Sequence, residues 1–146
     1  MSVDISQNAD SSLDLVGLTA VASNPAGRGW VPVTINYVAS TVDSTFFVAD
    51  RAYVVKAIRG RVDVAGTGGA CTVQIRKTAT ATAPASGTVL HSGTYNIVGT
   101  ANANQALTLS TTASDLLLAP GDALSYDLTG TATSAVGSIT VHLSPA

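Results

Sequence analysis

The stretch FFVADRAYVVKAIRGRVDVAGTGGACTVQIRK, Phe46 to Lys77, decides the fold. It reads as a short strand, a corner at Asp50-Arg51-Ala52, a long strand from Tyr53 to Ala65, a glycine-rich turn and a return strand. In the long strand Val62 and Val64 share one face, and Arg61 and Asp63 the other, which is the period-two alternation of a half-buried strand. Ala65-Gly66-Thr67-Gly68-Gly69-Ala70 supplies the positive-φ positions that a hairpin loop needs. Beyond it Val73 and Ile75 face inward, and Thr72, Gln74 and Arg76 outward. Such a hairpin puts Arg61 and Arg76 on one outer face of neighbouring strands, with Asp63 placed to relieve their repulsion.

The same alternation runs outward in both directions. Val33, Ile35 and Tyr37 alternate with Thr34 and Asn36, and Ser44 to Ala49 follows after a polar turn. Phe46 and Phe47 point to opposite faces, one buried and one at an interface. On the far side, Thr78 to Gly87 (TATATAPASG) is low in complexity, an exposed connection long enough to cross between two sheets. Val89 to Val98 is strand material with a bend at Gly93. Gly99 to Gln105 is a polar loop, and Leu107 and Leu109 resume period two. Leu116-Leu117-Leu118 ends in a Pro120-Gly121 turn. Leu124, Tyr126 and Leu128 alternate with Ser125, Asp127 and Thr129, and Gly130 to Ala135 is a small-residue turn. Ile139, Val141 and Leu143 face inward, Thr140 and His142 outward. About eight strands with regular turn signals, and almost no helical periodicity, predict an all-β antiparallel β-sandwich of jelly-roll or Greek-key path.

Residues 1–29 differ from the rest and read as a partly extended N-terminal arm leading into a domain over 30–146. Leu13 to Ala22 is a short amphipathic piece, equally a first strand or helix packed on the sandwich. Asn24-Pro25-Ala26-Gly27 breaks it. Trp30, the only tryptophan, marks the junction.

Composition narrows the function. A chain of 146 residues is one domain by size and buries enough surface to fold without a disulfide or metal. Cys71 is the only cysteine, and its apolar neighbours make it a buried, inert thiol. MSVDISQNADSS lacks the basic and apolar regions of a secretory signal, and no apolar run approaches a membrane span of ~18 residues. The formal net charge is −2, all nine acids are Asp, and six of the seven bases lie between Phe46 and Lys77, the seventh being Arg28. That balance argues against nucleic acid as a partner. Only 11% of residues are charged, against about a quarter in ordinary globular chains, so the surface is clothed in Ser, Thr, Asn, Gly and Ala.

No catalytic constellation emerges. A nucleophile needs an oriented base, but His91 and His142 sit in strands and make no motif with Cys71 or a serine. His142 is a surface residue and His91 a satisfied sheet histidine. Asp50, Asp115 and Asp122 read as turn residues bonding their own backbone rather than as a glycosidase pair. Neither calcium-loop nor zinc spacing exists, and the Gly66–Gly69 run precedes no helix that would make it a phosphate cradle. The expectation is no enzyme, no cofactor and no small-molecule substrate. Most aromatics belong to the core; several exposed in one row would indicate a carbohydrate site.

One pattern goes further. Phe47-Val48-Ala49-Asp50-Arg51-Ala52-Tyr53, Val73-Gln74-Ile75-Arg76-Lys77, a Gly-Thr polar connection and Leu116-Leu117-Leu118-Ala119-Pro120-Gly121-Asp122-Ala123-Leu124 together resemble small tailed-phage virion proteins. The resemblance covers about residues 45–143 and is similar to capsid decoration, or cement, proteins with a jelly-roll body. It implies a protein made in the bacterial host cytoplasm that binds the major capsid protein on the outside of the head, as a homotrimer. Arg59, Arg61 and Arg76 on the basic strand face, with Leu13, Leu15 and Trp30 in and beside the arm, are the expected partner-binding residues. The alternative is a receptor- or carbohydrate-binding module of a fibre or tail.

Overall fold

The computed structural model describes residues 29–146. Its strands are β1 (Val31–Val38), β2 (Ser44–Val48), β3 (Tyr53–Val64), β4 (Thr67–Thr78), β5 (Thr88–Val89), β6 (Tyr95–Asn96), β7 (Ala103–Leu107), β8 (Leu117–Leu118), β9 (Ala123–Thr133) and β10 (Val136–Pro145). A 3-10 turn at Pro84–Ser86 and a single helical turn, α1 (Ala113–Leu116), complete the elements. One sheet has the order β1-β10-β3-β7, with β8 also on β3; the other has β2-β9-β4-β5, with β6 also on β4. All pairings are antiparallel. The short pairs β5/β6 and β7/β8 each act as one interrupted strand. The path is therefore the eight-strand interleaving of a jelly roll, as the alternation predicted.

The central stretch pairs differently from the expectation. β3 and β4 are not a hairpin: β3 lies between β10 and β7, and β4 between β9 and β5, in opposite sheets. Ala65-Gly66 is the crossing. A Cβ on Gly66 would sit 2.9 Å from the Ala132 Cβ and 3.1 Å from the Ala135 Cβ, and its N–H donates to the Ile97 carbonyl. The remaining glycines lie inside β4, where a bulge between Gly68 and Cys71 faces Gly130, at φ 96°, on β9. Gly130 to Thr133 likewise continues β9 rather than turning, and only Ser134-Ala135 links it to β10. The Thr78–Gly87 connection does not cross sheets either: β5 returns to β4, pairing Val89 with Arg76. Phe46 and Phe47 are both half-buried because a bulge between Thr45 and Phe47 breaks the alternation. Val64, past a register shift opposite Val136, is exposed.

The core between the sheets is aliphatic around three fully buried tyrosines, Tyr37, Tyr95 and Tyr126. Tyr37 and Tyr95 meet edge to face at 5.9 Å, and their hydroxyls are 3.2 Å apart. Tyr126 lies 6.4 Å from Tyr37, and its hydroxyl has no partner among the described residues. Burial raises the pKa of all three phenols. Two glycines make room for the rings: a Cβ at Gly60 would overlap the Tyr95 ring, and one at Gly137 would overlap Tyr37 and the Arg61 carbonyl. Gly60→Ala and Gly137→Ala are therefore expected to lower stability by about 1–3 kcal/mol each through overpacking. Gly69→Ala, with open space around its Cβ position, is expected to stay within about 0.5 kcal/mol of the parent. Urea titration of the three variants is the check.

Candidate docking face

The two outer faces differ. On the β2-β9-β4-β5 sheet the chain covers its own surface, because the connection after β4 lays its 3-10 turn against β4 and β9. Arg76 is held beneath it. Its Nε donates to Asp127 Oδ2 at 2.6 Å, Nη1 to the Gly87 carbonyl at 2.8 Å and Nη2 to Gln74 Oε1 at 2.6 Å. The side chains of this ion pair are only 18% and 10% exposed. Beside it Ser125 Oγ lies 3.2 Å from Thr45 Oγ1 and 3.0 Å from Thr78 Oγ1, so the buried hydroxyls satisfy one another. Lys77 Nζ donates to the carbonyls of Ser114 and Leu117 at the end of α1.

Among the described residues nothing covers the outer face of the β1-β10-β3-β7 sheet, which is the bare face of the pair. Cross-strand register puts Thr34, Thr140, Arg59 and Ala106 in one row, and Asn36, Ser138, Arg61 and Asn104 in the next. Short side chains between the arginines leave a shallow groove of about 430 Å³, bordered at one end by His142. The Trp30 ring lies 6.2 Å from the His142 ring at that end. The two arginines are unlike. Arg61 bonds Asp63 Oδ1 through Nε, and both the Asn102 carbonyl and Asn104 Oδ1 through Nη1, while Nη2 reaches Asn102 Oδ1. Arg59 is exposed and makes no ion pair or side-chain hydrogen bond among the described residues.

The expected partner-binding residues thus divide. Arg59, Arg61 and Trp30 belong to the bare face, whereas Arg76 lies on the opposite outer face, so Arg61 and Arg76 are not neighbours. Asp63 serves Arg61 alone. Leu13 and Leu15, with the arm, lie outside the described residues. Ser138, Asn104 and Ala106 were not singled out from sequence; Asn104 fell in what read as a polar loop. Trp30 is the one strongly exposed aromatic among the described residues, so no aromatic row lines the groove.

The remaining polar residues build the fold. His91 is buried and bridges to Leu109, and its Nε2 accepts the Ile75 N–H at 3.0 Å. Burial pushes its pKa below the usual 6.5 and raises that of the Cys71 thiol. Asp50 accepts from the Tyr53 hydroxyl at 2.7 Å and from Arg51, which lowers its pKa in that order of importance. Ala49 donates to the Asp122 carbonyl and accepts from Gly121, while Asp122 Oδ2 takes the Ala119 N–H. The two ends of the recognised pattern therefore lock into one corner. Asp43 accepts from the Leu128 N–H and Asp115 from the Ser110 hydroxyl. No three His, Cys, Asp or Glu side chains among the described residues gather as a metal site.

The topology defines a jelly-roll sandwich with one closed and one bare polar face. No family model matches the chain. No curated protein matches it. Among solved structures, a chain of the "Cyanophage Pam1 capsid asymmetric unit" aligns over 78% of this chain and 80% of that chain, at 15% identity and a TM-score of 0.45.

Two outcomes test this geometry. Arg76→Met strands Asp127 in a buried position and is expected to cost about 3–5 kcal/mol, most of it recovered in Arg76→Met/Asp127→Leu. The check is thermal unfolding of both variants. His91 titrates at a lower pH folded than unfolded. The unfolded chain therefore takes up its proton first, and the stabilisation present above about pH 6.5 is lost as pH falls below it. The Tm is expected to drop in that window, with a flatter profile in His91→Gln.

Proposed function

We propose that this chain is a structural virion protein of a tailed phage, a decoration or cement protein that binds the major capsid protein on the outer head surface and stabilises the shell. It acts as a homotrimer and not as an enzyme, and it is made in the host cytoplasm before joining the head. The observation that carries this reading is the inequality of the two outer faces. A body that lies flat on a larger surface needs an open, flat polar face for contact, and the face carrying Arg59 and Arg61 is open among the described residues. The virion-protein pattern supports it, because its residues form the corner joining Ala49 to Asp122 and so specify this body.

Affinity on a shell does not require a deep site. Many copies engaging one lattice add their weak contacts through effective concentration. The arm, residues 1–29, is assigned a second contact, since an extended segment binds by main-chain pairing without a special motif. The check is co-sedimentation of the purified protein with heads assembled without it. Retention of the full chain is expected, with retention weakened by deletion of residues 1–29. A full chain that stays in the supernatant overturns the decoration role.

A further inference from the structure

We propose that the bare face recognises a carboxylate side chain of a different protein, and that Arg59 is the residue that meets it. This rests on the decoration reading and specifies its partner by chemistry. Arg61 is an unsuitable reader, because its donors already fix Asp63, Asn102 and Asn104. Its task is to tie the loop before β7 onto β3. Among the described residues Arg59 has no ion-pair or side-chain hydrogen-bond partner, and its planar fork matches a carboxylate in bidentate fashion. Its cross-strand neighbours, Thr140 and Ala106, are short, so nothing beside it obstructs an approaching group.

Charge selects the same ligand. The bare face and its margin carry Lys56, Arg59 and Arg61 against the single carboxylate of Asp63. Elsewhere among the described residues five carboxylates face three cations. The charge of the described residues is therefore unevenly placed, with the positive side on the open face. The decoration reading makes the source a foreign acidic protein surface, and a carboxylate of a second copy is an outcome of the test.

The test uses the full chain and its Arg59→Glu and Arg59→Ala variants. Co-sedimentation with undecorated heads is paired with retention on immobilised poly-L-glutamate and polygalacturonate, and with sedimentation velocity of the protein alone. The expected result is a loss of head binding of about tenfold or more in Arg59→Glu. Poly-L-glutamate retention falls in parallel, while the Tm and the oligomeric state match the parent. Heads that bind Arg59→Glu as tightly as the parent overturn the proposal and leave the decoration role standing. A parent that ignores heads but binds poly-L-glutamate through Arg59 overturns the decoration role and supports the docking face. Retention by polygalacturonate alone makes the ligand an acidic sugar and overturns the protein partner. An oligomer that dissociates in Arg59→Glu places the carboxylate in another copy, where Asp4, Asp10 and Asp14 precede the described residues, and overturns the foreign partner.

Discussion

The sandwich depends on how three tyrosine rings fit between its sheets. Tyr37 from β1, Tyr95 from β6 and Tyr126 from β9 fill the centre, and large rings there require the backbone beside or across from them to come without side chains. Gly60 on β3 and Gly137 on β10 meet that requirement. The two phenol hydroxyls that touch share one hydrogen bond, which offsets part of the polar cost of burying them. Because the rings come from both sheets, their packing fixes the spacing and mutual placement of the layers. The outer faces inherit that rigidity.

Strands were legible in the sequence; their partners were not. Period-two alternation is a local property of one strand, and it located β1, β3, β4, β9 and β10 correctly. Sheet membership is set by packing across the core, and no local pattern reports it. Thr67-Gly68-Gly69 has the composition of a turn, yet it is strand, with Thr67 paired to Thr133 and Gly68 to Ala132, while Gly130 on β9 leaves room for the bulge at Ala70-Cys71. The low-complexity stretch after Thr78 stays exposed, as its composition implies, but it does not cross between the sheets. Its small residues let it lie flat over β4 and β9, and Gly87 approaches the Lys77 carbonyl closely.

The same limit governed the candidate site. Arg59 and Arg61 read as outward-facing from their own strand, and they are. Arg76 read the same way, but its environment comes from Gln74, Gly87 and Asp127, two of them distant in sequence. Nothing local separates an arginine that a loop covers from one left open. The difference between Arg59 and Arg61 was equally hidden, since Asn102 and Asn104 reach Arg61 from more than forty positions away.

The position of β10 has a consequence for synthesis. It follows all the other described strands in the chain, yet it lies between β1 and β3, with Val31 opposite Leu143 and Val136 opposite Val64. A nascent chain that has not released β10 from the ribosome has two strands of this sheet with no hydrogen-bonded partner between them. Pairings of such long sequence separation are slow to form. Translation that stops before β10 yields a chain without its central strand.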